Sequence, residues 1–134
     1  IKIIDYVSFS TEIAMIKEYG SVDWTNLLGS SGCLIRNIVS DADKIEAIGI
    51  TGVKRSLLYN YELKKRNGDV VSSDVINNFK IHSQKKLLLL YDNYIRTKEG
   101  KIIALPLHEE FVKILADDEK ILHLYNSVIA NTIY

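Results

Sequence analysis

Apolar side chains recur along this chain mostly at spacings of three and four, the period of one face of an α-helix. The richest run covers about residues 34–48, where Ile35, Ile38, Ala42, Ile45 and Gly49 share a face. The spacing predicts a helix with that face turned to the core. Residues 2–7 read as the closing turns of an earlier helix. A short helix is expected next, to about Tyr19, with Ser10 or Thr11 as its N-cap. Residues 20–32 read as a loop, broken most strongly by Gly-Ser-Ser-Gly at 29–32, and Trp24 is expected to anchor it through its large ring.

Beyond the central helix, Gly49 and Gly52 punctuate a turn into a helix from Val53 to about Arg66. Glycine there allows conformations or close packing that a side chain blocks. Asn67-Gly68-Asp69 is a turn signal, and Val70-Val71 is a β-branched pair that could extend locally. Asp74 reads as the N-cap of a long helix to about Tyr94, with a seam of Ile76, Phe79, Leu87, Leu90 and Tyr94 and with Ser83 in register. Thr97 caps a further helix, about Lys98 to Leu115, which Pro106 is expected to kink or restart. Asp117-Asp118 opens a last helix to about Asn131, with its acids at the end that the helix dipole favours. Five or six helices with little strand make an all-α helical bundle, one domain over residues 1–134.

Composition narrows the function classes. A chain of 134 residues, 47% hydrophobic, is long enough for one core. Its formal net charge is zero, so it lacks the basic footprint of sequence-independent nucleic-acid binding. A lone cysteine, Cys33, leaves no internal disulfide and suits a reducing compartment. The longest apolar run, Leu87 to Tyr91, is far short of the roughly 20 residues of a membrane span, and no secretory pattern opens the chain. An intracellular, cytoplasmic protein is the expectation.

The candidate chemistry concentrates on the central helix, where Asp41, Asp43 and Glu46 fall within six residues. Charge beside an apolar face costs free energy unless it is paired or holds a metal. At roughly 100° per residue, Asp41 and Asp43 stand about 160° apart and cannot reach one ion. Glu46 lies about a turn beyond Asp43 on the same side. The residues alone leave two readings open: a solvated acidic border with Lys44 nearby, or a carboxylate pair with a task. His82 and Lys86, one turn apart, similarly suit either a phosphate contact or a half-exposed histidine beside a snorkelling lysine. His108 with Glu109 and Glu110 reads as a surface cluster, and His123 as structural or exposed.

Asp41-Ala42-Asp43-Lys44-Ile45-Glu46-Ala47-Ile48-Gly49, followed by Gly52-Val53-Lys54-Arg55, resembles the last metal motif of the HD-domain metal-dependent phosphohydrolases. The stretches Ile3–Ser10, His82–Leu90 (His-x-x-x-Lys-Leu-x-x-Leu) and Thr97–Ala104 (Thr-x-x-Gly-x-x-x-Ala) are similar to further family segments in the same order, over about residues 1–115. The resemblance implies the C-terminal part of the HD-domain fold. It implies a divalent ion (Mn, Co, Mg or Fe) that activates water against a phosphoryl group, with Asp43 as a metal ligand and Asp41 as the alternative register. Glu46 would orient a water or assist catalysis, and Arg55, His82 and Lys86 would hold substrate phosphate. Nucleotides or related phosphoesters are the implied substrates. The family's early His and His-Asp doublet have no counterpart here, since His82, His108 and His123 all follow the late Asp. Those ligands are expected upstream of Ile1. The alternatives are a degenerate, non-catalytic HD domain binding within a larger assembly, and an unrelated helical interaction protein.

Overall fold

Helices carry the chain throughout the computed structural model, which describes residues 3–133. A 3-10 turn at Ile3–Tyr6 leads into α1 (Phe9–Tyr19), α2 (Trp24–Ile48), α3 (Ile50–Arg66) and α4 (Ser72–Lys85). A second 3-10 turn, Leu87–Leu89, passes into the short α5 (Leu90–Asn93), then α6 (Lys98–Leu115) and α7 (Asp118–Ile133). No strand occurs among the described residues, so Val70-Val71 does not extend into one. No described helix is long and apolar enough to cross a membrane. Lys2, expected within a helix end, lies outside the described residues.

The core forms where α3 packs on α4, α2 and α7, and where α6 packs on α2 and α7. Val53, Leu57, Val75, Phe79, Phe111 and Ile121 are fully enclosed there. At the expected α4 seam, Phe79, Ser83, Leu87 and Leu90 are all buried, and Ile76 is half-buried. Cooperative burial of this kind supplies most of the stability of such short helices, whose own propensity is marginal in water.

Several boundaries differ from the sequence expectation. Ser8, rather than Ser10 or Thr11, caps α1, its Oγ accepting from the Thr11 N–H at 3.1 Å. The loop expected over 20–32 shrinks to a few residues, because Asp23 caps a helix at Trp24. Helicity resumes after a kink at Gly29, whose φ of 76° and ψ of 170° are non-helical. Helix α4 starts at Ser72, so Asp74 sits in its first turn instead of capping it, and it ends at Lys85 instead of near Tyr94. Lys86, with φ −127° and ψ −60°, breaks the run although no glycine or proline marks the place. Pro106 does not divide α6, which continues through it.

The largest difference lies on α2. Its apolar face points outward: Leu34, Ile35, Ile38 and Val39 are each about half exposed, and Ala42 is exposed with them. The buried side carries Arg36, Ser40, Asp41, Lys44 and Ile48 instead. The physical reason is a second stripe at the same period, residues 36, 40 and 44, whose cations meet a buried carboxylate, Glu12 of α1. Pairing offsets the desolvation penalty that would otherwise keep these groups in water.

Gly52 permits the tight passage from α2 into α3. A Cβ on it would sit 2.3 Å from the Ala47 carbonyl oxygen and 2.4 Å from that of Glu46. The close-packing role expected for it is therefore borne out.

Candidate functional site

Two carboxylates that neighbour each other in sequence have separate fates. Asp41 is 2% exposed. Its Oδ1 accepts the Arg96 backbone N–H at 2.8 Å, and its Oδ2 accepts the Thr97 N–H at 2.7 Å and the Thr97 hydroxyl at 2.6 Å. Thr97 Oγ1 in turn accepts the Gly100 N–H, so Asp41 clasps the whole N-terminus of α6. Asp43, two residues on, is exposed and forms no hydrogen bond or ion pair with the described residues. The opposed directions follow from helix geometry, as the 100° rotation implied.

Asp43 lines a hollow of about 270 Å³ with Arg55 and Lys86, which come from α2, α3 and the break after α4. Lys44, Leu87 and Leu90 form its floor, and Ser8, Phe9 and Ser10 at the α1 N-terminus form one wall. Arg55 and Lys86 therefore share the hollow with one carboxylate, Lys44 being engaged with Glu12 behind it, and the positive end of a helix dipole adds to them. Arg55 Nη1 lies 3.4 Å from Glu46 Oε1, both side chains being more than half exposed. Such a pair is weak in water, which leaves the guanidinium available to an anion. Glu46 reaches the hollow only through Arg55.

His82 and Lys86 line two adjoining hollows that share Arg55. His82 lines an adjoining hollow with Arg55, Ser56 and Tyr59, whereas Lys86 faces Phe9 with its amine 4.9 Å from the ring centroid. Partial burial, then the Lys86 charge, pushes the His82 imidazole below its ordinary value. The shift favours the uncharged imidazole, a hydrogen-bonding group, over a further cation. His108 is half-buried and stacked on Tyr91 at 4.9 Å, so it is not the surface group expected; His123 is exposed.

The sequence reading missed the ion cluster behind this hollow. Glu12 Oε1 accepts from Arg96 Nη2 at 2.9 Å and lies 3.2 Å from Arg36 Nη2; Oε2 lies 3.2 Å from Lys44 Nζ. Glu12 and Arg36 are 0% exposed and Lys44 is 1%. Burial pushes the Glu12 carboxyl upward, but the Arg96 hydrogen bond and the Lys44 and Arg36 charges outweigh it and hold the group below its ordinary value. Burial likewise lowers the Arg36 and Lys44 cations, with Glu12 opposing. Arg36 stacks 4.0 Å over the Trp24 ring, and Tyr6 meets that ring edge-on at 6.0 Å. Trp24 is thus buried as expected, but onto this cluster. The one available signal was the stripe Arg36, Ser40, Lys44 at fourth positions.

Among the described residues, no group of three His, Cys, Asp or Glu side chains stands close enough to hold a metal ion. No family model, curated protein or solved structure matches the chain.

Proposed function

We propose that this chain forms the phosphate-holding part of an HD-type metal-dependent phosphohydrolase acting on nucleotides or related phosphoesters. Arg55 and Lys86 bind the phosphate, His82 contributes a hydrogen bond from the adjoining hollow, and Asp43 offers a carboxylate to a divalent ion. Glu46 restrains Arg55 when no anion is present. The remaining metal ligands come from residues outside these 134. The observation that carries this reading is the meeting of Asp43, Arg55 and Lys86 on one hollow while Asp41 is fully engaged elsewhere. Guanidinium and ammonium donors are the groups that phosphate recognition needs.

The chain should bind inorganic phosphate, and Arg55→Ala and Lys86→Ala should each weaken that binding at least several-fold in calorimetric titration. The full-length protein that contains this chain should release phosphate from nucleotides with Mn²⁺, Co²⁺ or Mg²⁺. Asp43→Ala should remove its metal and its activity together. Full metal content in Asp43→Ala would overturn the assignment.

The outward apolar face of α2 favours a second reading, a degenerate HD domain docked by that face into a larger assembly. Metal-free purification, with activity absent on every phosphoester, would select it.

A further inference from the structure

A second, larger hollow opens beside the polar one. It measures about 390 Å³, within the usual range of small-molecule sites, roughly 300–1,000 Å³. Its walls are the side chains of Phe9, Ile13, Leu89 and Tyr94, and Lys85 and Lys86 stand at its edge. The Phe9 and Tyr94 rings meet edge-to-face with centroids 4.7 Å apart, which gives the hollow a firm aromatic side. Leu89 is 42% exposed, an apolar surface that water covers when the hollow is empty. No carboxylate lines it, and Asp43 lines only the polar hollow of the two.

Phe9, Ser10 and Lys86 line both hollows. The Lys86 amine, 4.9 Å from the Phe9 centroid, therefore stands where the apolar compartment meets the cationic one. One ligand can lie across that boundary only if an apolar, flat portion is joined closely to an anion. A sugar phosphate wastes the apolar walls, and a group bearing an amine meets two lysines. We propose that the Phe9–Ile13–Leu89–Tyr94 hollow binds the planar apolar portion of an aryl-type phosphoester whose phosphate rests on Lys86 and Arg55. This rests on the phosphate-holding reading and narrows it from nucleotides, whose base stands a sugar away from the phosphate, to phosphoesters with a flat apolar group directly on the ester oxygen.

Calorimetric titration of the chain with phenyl phosphate, glycerol phosphate and benzenesulfonate tests the proposal. Phenyl phosphate should bind about tenfold more tightly than glycerol phosphate. Leu89→Gln, an uncharged polar change at a position 42% exposed, should erase that preference by bringing phenyl phosphate down to the affinity of glycerol phosphate. Lys86→Ala should weaken both phosphates. Equal affinity of the wild type for the two phosphates, or an equal loss of both in Leu89→Gln, overturns the aryl site and leaves the phosphate reading standing. If benzenesulfonate binds in a Leu89-dependent way while neither phosphate binds, the phosphate reading and the phosphoester assignment fail and only the apolar site survives. Binding of none of the three overturns both.

Discussion

Glu12 is one buried carboxylate against three cations, and its removal leaves the buried Arg36 and Lys44 with no ion-pair partner and only the Asp41 charge beyond contact distance to oppose them. Breaking a buried pair in this way costs about 3–5 kcal/mol, so Glu12→Ala should lower the urea midpoint sharply. The pH dependence has a definite sign. The folded carboxyl titrates below its ordinary value of 4.5, so its stabilisation is complete above about that pH and is lost as pH falls through the folded value. The wild-type midpoint should drop below pH 4.5 by more than that of Glu12→Gln, and equal slopes would remove Glu12 from this role. Lys44, lowered by burial, contributes a slope of the same sign between its folded value and 10.5. At this scale the divergence of Asp41 and Asp43 was legible, because two residues of helix fix it. Glu12 was not, because nothing near it in sequence shows that three cations from distant positions converge on it.

Elements are joined here by single side chains as well as by apolar faces. Asp41 ties α2 to the first turn of α6 through three donors. Gly100 allows the approach: a Cβ there would stand 2.6 Å from Asp41 Oδ2. Asp41→Ala leaves partly buried N–H groups unsatisfied and should cost about 1–3 kcal/mol. Hydrogen exchange should show the Arg96 and Thr97 amides losing protection while the centre of α3 keeps it; unchanged protection there would refute the clasp. Helix existence was legible from periodicity, and Thr97 and Asp117 were legible as start signals. The break at Lys86 was hidden by a sequence, Lys85-Lys86-Leu87-Leu88, that favours continuation. The facing of α2 was hidden because two stripes of equal period compete, and hydropathy alone favours the wrong one.

For the molecule as a whole, that facing is open to a direct check. Ile38 is 53% exposed, so Ile38→Lys should change stability by less than about 0.5 kcal/mol in urea unfolding. It should also reduce light scattering in concentrated solution, since it replaces apolar surface by charge on a chain of zero net charge. A core isoleucine would behave in the opposite way, with a loss of several kcal/mol. One further property follows from the stacking of Arg36 on Trp24. Trp24 is the only tryptophan in the chain and stands outside the apolar core, against the charged cluster. Its emission is therefore a built-in gauge of the ion network, separate from the tyrosines that report on the core, so that the two halves of the architecture can be watched coming apart in different colours of light.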